Sequence, residues 1–203
     1  EKEGNALQSG LEIPVLRSFG VNVAATAVDC IDTTDYAGED EDATFTISIS
    51  TAAGGLGGTA ITFLLDADQS TNPVEGANQI GIGCTSKTDA QVAALIIKAI
   101  NATTDGNIDY ASSGNGQAGY DIGVTAAEGS SNTQITLTMD HPGSAGNITA
   151  LASVSGVNII DVTAFTGGKD DYSKSHKDFQ LLTRETKDSV FVERFRARGG
   201  YEV

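Results

Sequence analysis

Residues 43–66 contain the clearest alternation of apolar and polar positions in the chain. In ATFTISIS, residues 43–50, the apolar residues Phe45, Ile47 and Ile49 alternate with threonine and serine. The alternation resumes in TAITFLLD, residues 59–66, after the glycine-rich AAGGLGG. A period of two is typical of a strand with one buried face. The two segments are therefore predicted to pair as a β-hairpin across the glycine turn.

The segment KTDAQVAALIIKAINA has a helical pattern instead. Its apolar residues recur at intervals of three and four, on one side of a helix. They are Val92, Leu95, Ile96, Ala99 and Ile100. Ser86 or Thr88 can cap the first turn, and Asp105-Gly106 ends the pattern. The sequence predicts one helix, over 86–102.

Short strands are predicted for most of the remaining central part. They lie at 78–84, 120–126, 133–139 and 156–165. With 24 Gly, 3 Pro and no Trp in 203 residues, the composition favours many turns and short strands. The predicted fold is mainly β with one helix, a β-sandwich-like α+β domain that carries extended N- and C-terminal arms.

Changes in composition give the predicted domain boundaries. Residues 1–42 are predicted to form an extended arm, with Pro14 in its strand-like part from Leu11 to Val23, and then an acidic loop. Residues 43–168 are predicted to be the β-rich domain. Residues 169–203 are predicted to be a polar linker followed by a C-terminal β-strand arm.

The charge of the chain is strongly asymmetric. The formal net charge is -15; residues 1–168 contain 4 Lys and Arg against 20 Asp and Glu, whereas residues 169–203 contain 8 against 7. Because an acidic surface repels phosphate groups, we expect neither nucleic acid nor an anionic membrane as a partner. No run approaches 18 apolar residues and the N-terminus lacks a signal-peptide pattern, so neither a membrane span nor a signal peptide is predicted.

The C-terminal stretch DSVFVERFRARGG has the pattern of a strand whose two faces are both mixed. Apolar and charged side chains share each face, so the strand is predicted to need a second surface. The predicted interface residues are Val190, Phe191, Val192, Arg194, Phe195 and Arg196. The expected partner is an acidic protein face, that of another copy or of another structural protein, and a homo-oligomer is predicted.

The sequence contains no complete signature of catalysis or of nucleotide binding. Gly55-x-Gly57-x-x-Ala60 follows a strand, but dinucleotide binding needs a helix next and a strand pattern follows. His141 and His176 have no zinc-site spacing. We therefore predict no catalytic residue, no bound cofactor and no enzymatic activity, although the many carboxylates leave a hydrolase open as an alternative.

The segment DADQSTNPVEGA suggests an irregular cation site. Asp66 and Asp68 have calcium-loop spacing, but the required glycine and bidentate glutamate are absent. Asp66, Asp68 and Glu75 are the candidate metal ligands, with calcium as the candidate ion. The acidic run from Asp29 to Asp42 is a second possibility, and solvated loop carboxylates are the alternative to both.

Cys30 and Cys84 are the two cysteines of the chain. They can form a disulfide bond or can be two small buried apolar side chains. Two cysteines in a chain of this size do not form a disulfide framework, and the second interpretation is favoured.

About half of the chain resembles a module of structural proteins from tailed phages and marine viruses. The matching segments are AITFLLDAD, KTDAQVAALIIKAINA, TQITLTMDHPGSAGNIT and VTAFTGG, which give a strand, a helix, strands, a small-residue turn and a closing strand with Gly-Gly. The C-terminal VFVERFRARGGYE is similar to a segment of virion-associated proteins that has Pro where this chain has Arg198. The resemblance implies a β-rich virion protein whose relatives continue beyond the position of Val203.

These observations predict a non-enzymatic virion structural protein. It would join neighbouring subunits through its terminal strands in a phage-like capsid or tail. The alternative from a different class is a secreted calcium- or carbohydrate-binding adhesin or surface filament module, located outside the cell. Its weak points are the missing signal peptide and the 6% of aromatic residues available to stack on sugars.

Overall fold

Eight strands and one α-helix follow one another in the part of the chain that the computed structural model describes, residues 22–34, 36, 42–57, 59–69 and 75–170. They are β1 (Thr26–Asp32), β2 (Ala43–Ile47), β3 (Ile61–Asp66), β4 (Gln79–Gly83), α1 (Asp89–Ile100), β5 (Ile108–Asp109), β6 (Val124–Glu128), β7 (Gln134–Met139) and β8 (Leu151–Ser155). The predicted fold class, mainly β with one helix, is confirmed.

The strands form two sheets. The larger sheet has the order β5-β4-β3-β2-β8 and is antiparallel except for the parallel pair β3–β4. The smaller sheet has the order β1-β7-β6 and is antiparallel throughout. The predicted hairpin is confirmed as β2–β3, in which Phe45 lies opposite Phe63 with the ring centroids 4.9 Å apart.

Helix α1 begins where the sequence allows a capping box. The hydroxyl of Thr88 accepts a hydrogen bond from the Gln91 amide, and the Gln91 side chain accepts one from the Thr88 amide at 2.9 Å. These bonds satisfy backbone amides that a helix start leaves without intrahelical partners. All five residues of the predicted apolar stripe are buried, so the helix is confirmed with the bounds Asp89–Ile100.

Both sheets and the helix contribute to one hydrophobic core. The largest side chains that are almost completely buried are Ile31, Phe45, Ile47, Ile49, Ile61, Phe63, Leu65, Ile80, Ile82, Ile96 and Phe165. Burying a side chain of this size contributes about 1.5–3 kcal/mol. The residues Val23–Lys169 form one compact unit around this core.

Part of the predicted N-terminal arm belongs to this domain. The segment Thr26–Asp32 was placed in the arm at 1–42, but it forms β1, which pairs with β7. Its apolar residues Cys30 and Ile31 are completely buried. Residues 1–21, which include most of the strand-like part from Leu11, and residues 35 and 37–41 of the acidic loop lie outside the described residues.

Two predicted strands differ from the observed ones because side-chain oxygens accept hydrogen bonds from backbone amides in these segments. In the strand predicted at 156–165, Asn158 Oδ1 accepts a hydrogen bond from the Ile160 amide, and the stretch makes isolated bridges in place of a regular strand. In the strand predicted at 120–126, Asp121 Oδ1 accepts from the Gly123 amide, and β6 starts only at Val124. Such local bonds compete with sheet ladders.

None of the helical segments in the described part of the chain has the length and hydropathy of a transmembrane helix.

Candidate functional site

The chain enters and leaves the domain at adjacent positions. The Val23 amide donates to the Lys169 carbonyl at 2.8 Å, and the Lys169 amide donates to the Val23 carbonyl at 3.0 Å. This two-way bridge, together with the Asn147–Gly168 pair described next, is called the stem. Because the stem joins both ends, residues 1–22 and 170–203 are attached to the domain at one place.

Asn147 holds the outgoing strand of the stem. Its carboxamide donates to the Gly168 carbonyl at 3.0 Å and accepts from the Gly168 amide at 2.8 Å. A Cβ atom at position 168 would collide with the Gly143 carbonyl oxygen, so glycine is required for this close approach. The stem thus joins the two segments GSAGN and VTAFTGG that carry part of the sequence resemblance.

The domain that the stem closes, residues 23–169, is acidic. Residues 23–169 contain three Lys and no Arg, against seventeen Asp and Glu. Two of these lysines, Lys87 and Lys98, line an open depression of about 180 Å³ on the surface of α1. Lys98 is paired there with Asp105 at 2.6 Å. The domain therefore presents mostly negative charge to any partner.

The outer edge of β6 is covered by a side chain. Asn101, the C-cap of α1, donates to the Ala126 carbonyl at 2.9 Å and accepts from the Ala126 amide at 2.8 Å. The carboxamide thereby takes the place of a neighbouring strand. An edge covered in this way offers fewer free backbone groups to another chain.

The outer edge of β1 is covered by the last part of the domain. Thr26 and Thr166 exchange two backbone hydrogen bonds of 2.9 Å, and the Asp161 amide donates to the Cys30 carbonyl at 2.9 Å. Residues 159–169 thus run along β1 as an irregular partner. In the larger sheet, edge strand β5 has only the two residues Ile108–Asp109.

Edge strand β8 differs from these three edges. Among the described residues β2 is the one strand that pairs with it, and all of its residues after Leu151 are exposed. Val154 is the extra residue of a bulge, because Thr44 pairs with Ser155 and Phe45 with Ser153. The side chain of Val154 is 60% exposed, the largest value among the exposed large apolar residues of the described chain.

Two of the three candidate metal ligands, Asp66 and Glu75, accept hydrogen bonds from backbone amides, and the third, Asp68, is exposed. Asp66, at the end of β3, is 3% exposed, and its Oδ1 accepts from the amides of Asp68 and Gln69. Glu75 accepts from the Ser112 amide at 3.1 Å. Within the described part of the chain, no three His, Cys, Asp or Glu side chains form a group that could hold a metal ion. The calcium site stays a prediction.

Cys30 and Cys84 are free and buried. The Cys30 thiol donates to the Ile135 carbonyl, and the Cys84 thiol donates to the Ile82 carbonyl. Burial raises the pKa of Cys30 to about 11 and that of Cys84 to about 12. Both thiols are therefore kept in the protonated, unreactive form at neutral pH.

A second depression, of about 340 Å³, lies where the end of α1 meets β6. Asp140 in its wall accepts from the Thr125 hydroxyl at 2.6 Å, and Asp121 accepts from the Gly123 amide. Burial raises the pKa of Tyr120, whose hydroxyl donates to the Ala99 carbonyl at 2.7 Å. The Tyr120 bond joins the loop before β6 to α1, and the Asp140 bond joins β6 to the end of β7.

The predicted interface residues, from Val190 to Arg196, lie outside the described residues, and so do the polar linker after Asp170 and the C-terminal arm. The structure adds two features that the sequence did not indicate, the stem and the open edge of β8. A signal for β8 is present in LASVS, but its small residues give only a weak alternation.

Comparison with protein-family models, with curated proteins and with solved structures finds no match for this chain.

Proposed function

We propose that this chain is a structural, non-enzymatic component of a virion of the tailed-phage type, where it assembles with other subunits through its terminal segments. The proposal combines the module resemblance with the arrangement of the domain. The domain is an acidic, β-rich body, and the terminal segments are the connectors between copies or to other structural proteins of the particle.

The observation that carries the proposal is the stem. Since Val23 and Lys169 pair with each other, the two terminal segments continue from neighbouring positions of the body. Residues 23–169 form a compact unit. We expect the apolar residues Val190, Phe191, Val192 and Phe195 of the C-terminal segment to bind a surface of another subunit.

Charge supports assembly through the C-terminal segment. Residues 23–169 contain three basic residues, so two bodies repel each other at most of their surface. The end of the chain contributes Arg194, Arg196 and Arg198 within five positions. Basic side chains that meet an acidic body favour the correct contact and speed association.

The test is the particle mass of the full chain by sedimentation, with and without a calcium chelator, next to a chain that ends at Lys187. The proposal predicts a large assembly that resists the chelator and is lost in the shortened chain. A 20.8 kDa species at every concentration would contradict it. An assembly that the chelator dissolves would favour the calcium-binding adhesin.

A further inference from the structure

Free sheet edges are sites at which another chain can add a strand, and the residues that the structure describes leave one such edge open. Asn101 covers β6, residues 159–169 cover β1, and β5 is only two residues long. Only β8 has four exposed residues in a row, Ala152 to Ser155, with β2 alone as a strand partner in the described chain. A row of exposed residues at a sheet edge can pair with another chain, and the bulge at Val154 bends this edge without covering it.

We infer that the outer edge of β8 receives the segment Ser189–Arg196 of a second copy as an added strand. The inference rests on the proposed function and names the surface to which the C-terminal segment binds. In this mode of recognition, backbone hydrogen bonds provide affinity and the alternating side chains provide specificity.

The β8 edge and the incoming segment both present apolar side chains. Val154 is 60% exposed, and neighbouring Ala152 is also exposed. Val190 and Val192 share one face of the incoming segment if it is a strand. Side chains on adjacent strands stabilise each other when apolar residues lie side by side, so this face can cover Val154.

The charges near the β8 edge and on the incoming segment are of opposite sign. A Cβ at Gly156 would collide with the Asp42 carbonyl oxygen, so the end of β8 lies against Asp42, whose side chain is exposed. Arg194 and Arg196 of the incoming segment would lie near the exposed Asp42 at this end of the edge.

The length of the connecting segment allows the contact to be made between copies. Residues 170–188 separate the stem from the incoming strand, and these nineteen residues span up to about 60 Å when extended. β8 belongs to the compact unit Val23–Lys169. Because donor and acceptor are different surfaces of the same chain, the contact is heterologous and produces rings or filaments.

The experiment uses two full-length variants and one shortened chain. In Val154→Lys a charged side chain replaces the apolar surface that Val190 and Val192 would cover, while the donor segment stays intact. In the chain ending at Lys187 the edge stays intact and the donor is removed. The matched control is Val28→Lys, because Val28 is a similarly exposed valine, at 57%, on β1 of the other sheet. Circular dichroism and thermal melting establish that all four proteins are folded.

The expected result is that wild type and Val28→Lys assemble, that Val154→Lys assembles at least tenfold more weakly, and that the chain ending at Lys187 stays monomeric. Mixing the Val154→Lys chain with the shortened chain should restore a one-to-one complex, since one supplies the donor and the other the edge. Assembly of Val154→Lys at the wild-type concentration, or no complex in the mixture, would overturn the inference. A wild type that is monomeric throughout would overturn the proposed function itself, which distinguishes the two failures.

Discussion

The Asn147 carboxamide binds both backbone groups of Gly168, with Nδ2 3.0 Å from the carbonyl oxygen and Oδ1 2.8 Å from the amide nitrogen. Gly168 is buried and is the last residue before the Val23–Lys169 bridge. One side chain thus fixes the point at which the C-terminal segment leaves the domain.

Replacing Asn147 by alanine should loosen the stem. Asn147→Ala leaves two buried backbone groups without their partners, which costs about 1–3 kcal/mol of the free energy of unfolding. Urea denaturation measures this change. Asn132→Ala, at an exposed turn position, is the matched control and should change the free energy by less than about 0.5 kcal/mol. Equal effects of the two substitutions would contradict the role given to Asn147.

Asn101→Ala should open the edge of β6. The variant loses both hydrogen bonds to Ala126, with an expected cost of about 1–3 kcal/mol, and exposes backbone groups that can pair with another chain. We expect a lower urea midpoint and more aggregation on heating, measured by light scattering. A variant as stable and as soluble as Asn132→Ala would show that Asn101 does not protect the edge.

The elements that were predicted correctly depend on local patterns. Thr88 and Gln91 lie three positions apart in the helix they cap, and Phe45 and Phe63 belong to a hairpin with a glycine-rich turn. In each case neighbouring residues determine the structure, so periodicity and turn residues were sufficient to identify it.

The stem and the coverage of the sheet edges depend on pairs of residues that lie far apart in the sequence. Val23 pairs with Lys169, which is 146 positions later in the chain, and Asn101 pairs with Ala126 across a helix end. No local pattern encodes these pairs. β8 was missed because Ala152 and Ser153 are small, and its neighbour is β2, more than a hundred positions away. The predicted interface at Val190 to Arg196 stays a prediction.

The two thiols should make the protein less stable in alkali. Burial raises their pKa from 9.0 to about 11 for Cys30 and about 12 for Cys84, so above pH 9 the unfolded chain releases protons that the folded chain retains. Their contribution to stability is complete below pH 9 and is lost as the pH rises, by up to about 1.4 kcal/mol per thiol and pH unit. Urea denaturation between about pH 8.5 and 10 should show a smaller slope for the double variant C30A/C84A.

The same burial predicts slow chemical labelling. At pH 8 a thiol-specific reagent should modify both cysteines of the folded protein at least about a hundredfold more slowly than those of the urea-unfolded chain. Rapid modification of the folded protein, or an identical pH slope in wild type and C30A/C84A, would contradict the buried, protonated state.

Asp105 should contribute to stability in weak acid. Its hydrogen bond to the Lys98 ammonium, with further bonds from Asn107, lowers its pKa from 3.8 to about 2. The unfolded chain therefore binds a proton first, and the stabilisation present above about pH 4 is lost as the pH falls towards 2. Asp105→Asn should show a smaller loss of unfolding free energy over this range than wild type. Asp161→Asn, which removes an exposed charge of the same sign, should retain the wild-type slope.

Assembly through β8 is tested most directly by hydrogen exchange, at increasing protein concentration, of those amides in Ala152–Ser155 that point away from β2. The account predicts that exchange slows with concentration in the full chain and is fast and concentration-independent in the chain ending at Lys187, because the added strand comes from another copy. Protection that is the same at every concentration, or the same in both chains, would contradict it.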